Sequence, residues 1–458
     1  MAAGETTYLR DLKSTLTGDP GAALVFVCNF EVESSWAGNY VGLPAAPAPA
    51  NALVQRMEEL GVLLAGPGDH LVLKQPLDDE YREYLENLDI GLPSVLVPEH
   101  TAAARSTSED LLDSPRALGQ LTWLGRGGAR LVPMGTSAHE EKLAEAAQIR
   151  LAVPGTATFE KVNSKIYSRR ITAELGLPCV PGWCCETVGQ FRDVLSGAEL
   201  PVVVKDAYGV SGKGLMVLDS AQKAARLLRM IERRASCSGD DRLAVVVERW
   251  LPRRLDLNYQ IAIDRGGEVR LDFVKQALTD RGVHQGHLMP VDLGAEGHAL
   301  VRTAAARIGG RLYRDGFTGV AGIDAIVTAD DGRLYPVLEI NARFNMSTYQ
   351  GGVSERFHLR NHWALAQQYP VRVPRRVGFG EMRRALGALL RPAADGWTLV
   401  TCFGTINANV DAAAGRGDPP YSGRLYVMHI APDQARLADL DEGTRAALAT
   451  VSRFKEGR

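Results

Sequence analysis

The chain has 458 residues, a net charge of −2, 45% hydrophobic and 23% charged residues. That balance excludes a disordered chain and a dedicated nucleic-acid binder, which would carry a concentrated basic excess. No apolar run reaches the ~20 residues of a membrane helix, and no charged-then-apolar leader opens the sequence, so a cytoplasmic location without a membrane partner is the expectation.

Up to about residue 155, the apolar runs ALVFVC (23–28), GVLLAG (61–66), SVLVP (94–98) and ARLVPMG (129–135) read as buried strands. Residues 51–60, 79–88 and 138–149 have helical spacing, and the alternation predicts a parallel sheet. LPAAPAPA (43–50) reads as a loop, since prolines this dense continue neither helix nor central strand. AVPG at 152–155 marks the expected boundary of an α/β N-terminal domain, 1–155.

From 156 to about 370 the texture is α+β. A helix (163–175) stops at Gly176 and Pro178. There follow PVVVK (201–205), a Gly-rich loop, GLMVL (214–218), a helix (220–234), VVVERWL (245–251), NYQIAID (258–264) and EVRLDFVKQ (268–276). A helix (297–314), GVAGIDAIV (319–327) and RLYPVLEIN (333–341) complete the region, and strands following one another directly predict antiparallel sheet. Residues 371–458, with WTLVTCF (397–403), RLYVMHIA (424–431) and a helix near 432–450, predict a small C-terminal α/β subdomain.

Six scattered cysteines without a C-x-x-C pair, and nine histidines without H-E-x-x-H, leave oxygen ligands and a hard cation as the expected metal chemistry. The segment 322–344 supplies such ligands. Asp331-Gly332 predicts a two-residue hairpin turn, which places Asp324 directly opposite Glu339, with Asn341 on the same face. Facing carboxylates destabilise a sheet unless something compensates. A divalent cation such as Mg²⁺ does so, whereas the plain alternative is a solvated hairpin with incidental acids. Arg343, of the same parity, offers a planar fork to an oxyanion beside that cation, or a mere surface salt bridge.

In PVVVKDAYGVSGKGLMVL (201–218) a strand ends at Lys205 and a loop with Gly209, Ser211, Gly212, Lys213 and Gly214 follows. Backbone N–H groups of such a loop form an anion-binding concavity. It is not a Walker loop, because Gly214 stands where Ser or Thr should follow Lys213, and no helix opens there. Taken alone it is as readily a mobile turn. In VVVERWLP (245–252) the strand running into Glu248 presents backbone polar groups to an adenine edge, with Trp250 and Leu251 as apolar walls. Periodicity alone would call it a buried strand, and Lys165, near the start of its helix, a solvated lysine.

Taken in order, these segments resemble the ATP-grasp superfamily of carboxylate–amine ligases over roughly residues 160–345. The resemblance implies two lobes clasping ATP, and phosphate-binding roles for Lys165, which lies eleven residues before Gly176, and for Lys205 and the flap. It implies an adenine hinge at Glu248, Arg249, Trp250 and Leu251, a ribose-binding acid for which Asp256 is the candidate, and a Mg²⁺ (or Mn²⁺) set of Asp324, Glu339 and Asn341. Arg343 matches the arginine that stabilises the acyl phosphate and the tetrahedral intermediate. The whole-chain pattern is also similar to the peptide-ligase family of pheganomycin biosynthesis, which joins an amino-acid-like carboxylate to a peptide's amino group.

The activity implied is amide formation through an acyl phosphate, with ADP and phosphate released. A kinase on the same scaffold and a non-catalytic nucleotide-binding module are the alternatives. Small-molecule carboxylate and amino-acid or peptide substrates follow, and a homodimer is the superfamily's common state. Arg281, His284 and His287, in the polar segment 275–290, are candidates for substrate contact; a surface loop is the competing reading.

Overall fold

The computed structural model describes residues 5–36, 43, 52–208, 214–280, 283–357, 361–413 and 419–452. Short aliphatic strands sandwiched between helices form the first sheet. β1 (Leu24–Val27), β2 (His70–Val72), β3 (Ser94–Leu96), β4 (Arg130–Pro133) and β5 (Arg150–Leu151) pair in parallel in the order β3-β2-β1-β4-β5. All four residues of β1 are buried, as a central parallel strand requires. GVLLAG (61–66) is not a strand. Met57–Leu63 is a 3₁₀ helix, and the adjacent His70–Val72 takes the sheet position. Leu60, Val62 and Leu63 are buried all the same, because a short apolar run marks burial without fixing the backbone.

β6 (Gly182–Thr187), β7 (Val202–Asp206), β8 (Leu215–Leu218) and β9 (Arg242–Arg249) form an antiparallel sheet in the order β6-β9-β7-β8. The helices Val188–Gly197 and Ala221–Ser238 close over it around a core of its own, with Phe191, Val204, Leu227, Ile231 and Val245.

β10 (Arg253–Ile263), β11 (Val269–Asp280), β12 (Val283–Met289), β13 (Gly319–Thr328), β14 (Leu334–Asn341), β15 (Trp363–Val373), β16 (Trp397–Cys402) and β17 (Tyr421–Ala431) make an eight-stranded sheet, ordered β14-β13-β10-β11-β12-β15-β17-β16. Every neighbour pair in it is antiparallel. Within the segment 275–290, residues 275–280 and 283–289 are therefore strand (β11 and β12) rather than a surface loop. The strands after residue 360 extend the same sheet, β15 pairing with β12 on one side and β17 on the other. The helix Gly294–Arg314 buries Val301, Ala305, Ile308 and Leu312 in the main core. Among the described residues, no helix is long and apolar enough to cross a membrane.

The β13–β14 hairpin reaches its expected register by an unexpected route. Asp324 pairs with Glu339 and Gly322 with Asn341. Yet Thr328 N donates to Arg333 O at 3.0 Å, so the turn holds residues 329–332 rather than two residues, and of these only Gly332 has a positive φ, +66°. Nearer the turn Ile326 pairs with Tyr335, so Ala325 alone on β13 faces Pro336, Val337 and Leu338. This bulge cancels the longer turn. It falls at a proline, which has no N–H for the ladder, and Tyr259 Oη donates to the Pro336 carbonyl at 2.9 Å.

Candidate active site

The facing acids open into a cavity of about 750 Å³ between the four-stranded and eight-stranded sheets. Asp324 is half-buried and accepts from Asn258 Nδ2 at 2.8 Å and Asn341 Nδ2 at 3.1 Å. Burial, and then the carboxylate of Glu339 across the ladder, push Asp324 up to about 6. Lys165 Nζ stands 2.9 Å from Glu339 Oε1. Arg343 donates from Nη2 to Asn341 Oδ1 at 3.0 Å and from Nε to Glu33 Oε1 at 2.7 Å. Two carboxylates and an amide on one face, with like-charge repulsion driving one toward protonation, form the oxygen set that a hard divalent cation relieves. Asn258 Oδ1, buried without a partner, adds another oxygen to the same wall. The donors present fit Mg²⁺ or Mn²⁺, and no nitrogen or sulfur ligand competes among them. Among the described residues, this site included, no group of three His, Cys, Asp or Glu converges; the set here is two carboxylates and an amide.

Lys165 is the first residue of the helix Lys165–Glu174, which Gly176 (φ +61°) terminates. Its N–H donates to Ala207 O at 2.9 Å just beyond β7, while Ser168 Oγ in the same helix accepts from Ile340 N at 3.1 Å. The helix is thus wedged between the two sheets, with its lysine against β14. Lys205, next to last in β7, has Nζ 2.5 Å from Glu248 Oε2, and Arg169 Nη1 lies 3.0 Å from Glu248 Oε1. Arg169 lies outside the sequence-based set, although its i→i+4 spacing from Lys165 puts it on the same helix face.

Of the hinge residues, Trp250 lines the cavity, donates from its backbone N to Pro201 O at 3.0 Å, and carries the Arg253 guanidinium 5.0 Å above its ring. Leu251 instead packs with Val180, Ile326 and Tyr335, so Leu215 and Leu338 supply the apolar lining expected of it. The Arg249 side chain is exposed and does not line the cavity. Asp256 does, held by Arg253 Nη1 at 2.8 Å and by Thr279 Oγ1 at 2.8 Å. Gly214 lines it at φ +82°. Gly209, Ser211, Gly212, Lys213 and Arg281 lie outside the described residues.

His284 and His287 line the cavity from β12 with ring centroids 4.4 Å apart. Burial pushes His284 down to about 4 and, with His284 and Lys275 nearby, holds His287 well below the usual imidazole range. Lys275 on β11, the first residue of the polar segment 275–290, lies outside the sequence-based set. It is buried 4.2 Å from the Phe273 ring centroid, with Nζ 3.4 Å from Ser347 O, and burial lowers it to about 7.

Two family models match consecutive stretches of the chain: the Pre ATP-grasp domain over residues 57–149 and the carbamoyl-phosphate synthase L chain, ATP binding domain, over residues 164–350. The sequence is 26% identical over 333 residues to the [butirosin acyl-carrier protein]–L-glutamate ligase of Niallia circulans, covering 70% of this chain and 71% of that protein. It is 24% identical over 229 residues to the carbamoyl phosphate synthase large chain of Hyperthermus butylicus, covering 49% of this chain but only 21% of the relative. In fold it is similar to N5-carboxyaminoimidazole ribonucleotide synthetase in its ADP complex, with TM-score 0.55, 11% identity, and 93% and 97% of the two chains covered. It is likewise similar to biotin carboxylase of Campylobacter jejuni, with TM-score 0.54, 12% identity, and 94% and 95% covered. The chain belongs to the ATP-grasp superfamily. Within it the chain is an ATP-dependent ligase of the carboxylate–amine kind.

Proposed function

We propose that this ligase joins an amino-acid-like carboxylate to the amino group of an amino acid or peptide through an acyl phosphate. The carrying observation is the convergence on one cavity of Asp324, Glu339 and Asn341 with Lys165 and Arg343. The relative from Niallia circulans is named for L-glutamate and an acyl-carrier protein, which supports an amino acid as one of the two substrates here.

A donor carboxylate oxygen attacks the γ-phosphorus of ATP and breaks the bridge to the β-phosphate, so that ADP leaves. The acceptor nitrogen then attacks the acyl carbon, phosphate departs with the electrons of the C–O bond, and the ammonium proton is lost to leave the amide. Asp324, Glu339 and Asn341 would hold Mg²⁺, which supplies charge neutralisation between phosphate oxygens. Lys165 and Lys205 orient the phosphates by releasing their present partners, Glu339 and Glu248. Arg343, already positioned by Glu33 and Asn341, faces the oxyanion that develops at the acyl carbon.

The test is product release: ADP and phosphate appear only when a carboxylate and an amine are both present. Release of AMP and pyrophosphate excludes this chemistry, and a stable phosphorylated product without an amine makes the protein a kinase. Glu339→Gln is expected to lower ADP release by about 10²-fold or more while leaving the fold intact, since it removes a charge that contacts the reacting phosphate only through the cation.

A further inference from the structure

The cavity does not end at the phosphate-binding residues. It continues across β12 and β15 to β17, where Arg424, Gln368 and Thr401 line it. Arg424 Nη1 donates to Gln368 Oε1 at 3.1 Å, and Gln368 Nε2 donates to the His284 carbonyl at 3.0 Å. The guanidinium is therefore held in place by a neutral amide, and it forms no ion pair among the described residues.

Thr401 gives an independent sign of a ligand. The β16–β17 register slips between Val400 and Cys402, leaving Thr401 as the extra residue of a bulge. Bulges re-aim side chains, and here the hydroxyl is buried, lines the cavity and has no partner. Two buried tyrosines hold the bulge: Tyr81 Oη donates to Val400 O at 3.1 Å, and Val400 N donates to Tyr84 Oη at 3.4 Å. Gln350 Oε1 is a second buried, unpartnered polar atom on the same cavity. Polar atoms built into a rigid wall without partners are satisfied by what enters.

We infer that this outer half of the cavity is the subsite for the amine substrate, and that Arg424, positioned by Gln368, binds that substrate's terminal carboxylate while Thr401 bonds its backbone. The assignment rests on the ligase reading above and adds the substrate class. From β13, with Asp324, to β17 is five strand steps. At ~4.8 Å each this is about 24 Å across the sheet, and the ladder sets Asp324 in line with Ile430, six residues along β17 from Arg424, so the offset along the strands lengthens the span. An extended chain advances ~3.3 Å per residue, so a molecule that places its amine at the acyl phosphate and its carboxylate at Arg424 is a short peptide rather than a single amino acid. The donor, whose carboxylate must sit beside Arg343 and the cation sites, occupies the opposite end.

The probes are oligoalanine and oligoglycine peptides of roughly two to six residues, each as the free acid and as the C-terminal amide. Phenylglyoxal labelling of Arg424, read by peptide mass mapping in the intact protein, is expected to slow at least fivefold with free-acid peptides and not with amides. In turnover, Arg424→Gln is expected to raise the KM of the acid acceptor about tenfold or more, to the value for its amide, as loss of a charged hydrogen bond implies. The ATP KM should stay within about twofold, and Arg424→Lys should restore part of the acid preference. Equal protection by acids and amides, protection by neither, or protection by donor acids alone overturns the assignment. A complete absence of amine-dependent ADP release overturns the ligase reading instead, and the labelling result still decides whether this end takes a carboxylate.

Discussion

Glu248 compensates a buried lysine and a half-buried arginine with one carboxylate, since Lys205 and Arg169 each take one of its oxygens. Removing one partner of such a cluster is costlier than the cluster is stabilising, because the charges left behind have lost both water and counter-charge. Glu248→Gln is therefore expected to destabilise the ligand-free protein by ~3–5 kcal/mol. A urea titration would read this as a lower midpoint at unchanged slope, and a change below ~1 kcal/mol would mean that solvent screens the pair. The double variant with Lys205→Met should recover part of the loss, because the two changes share one contact. At this scale the sequence is readable where chemistry is concentrated locally. Asp324, Glu339, Asn341 and Arg343 fall within one hairpin, and Lys165 beside a helix stop that needs Gly176. Glu33, Asn258 and Lys275 are not readable, because what makes each matter lies far along the chain: Glu33 meets Arg343 from 310 residues away.

Of the register shifts in the eight-stranded sheet, two shape the cavity wall at Asp324 and Thr401, and neither appears in the alternation of apolar and polar residues. The turn at 329–332 is longer than Asp331-Gly332 suggests, and the correct Asp324–Glu339 pairing follows only because Pro336 interrupts β14. Pro336 was the sole local sign of irregularity, while the bulge at Thr401 has no sequence sign, being held by Tyr81 and Tyr84 from a distant helix. The strands β15, β17 and β16 are further tied by His429. Thr398 Oγ1 lies 2.8 Å from its Nδ1 and Tyr369 Oη 2.6 Å from its Nε2, while Tyr369 Oη donates to Asp441 at 2.5 Å. That network assigns the neutral tautomer with its proton on Nε2. Burial lowers His429 to about 4, so between the ordinary value of 6.5 and 4 the unfolded chain binds more protons than the folded one. Stability from this site is thus complete above pH 6.5 and is lost as the pH falls toward 4, a cost of roughly 3 kcal/mol. Unfolding free energies measured across that range should fall more steeply for the wild type than for His429→Gln, and parallel curves would show that the imidazole is charged in the fold.

At the scale of the molecule, the cavity lies between two bodies with separate cores. The four-stranded sheet packs around Phe191, Val204 and Ile231, apart from the core that joins the parallel sheet to the eight-stranded one. Polar links span the gap: the Lys165 N–H to Ala207 O, and Lys165 Nζ to Glu339. A nucleotide held by Lys205 on one body and by Asp324 and Glu339 on the other would couple their motions, since any opening that parts them also releases the ligand. Linkage sets the size: at a hundred times its Kd, a ligand bound only to the closed form adds ~2.7 kcal/mol to the opening, which is about a hundredfold in rate. Amides of β7 and β9 that exchange through this opening should therefore slow by up to about that factor when Mg²⁺ and a non-hydrolysable ATP analogue are added together. Amides of β3 and β5, at the edges of the parallel sheet, should barely change, because their fraying leaves the cavity intact. Asp324→Asn should abolish most of the Mg²⁺-dependent part while keeping what the lysines contribute. Equal slowing in both sheets would indicate global stabilisation rather than a ligand bridging two bodies, and no slowing in β7 would place the nucleotide elsewhere.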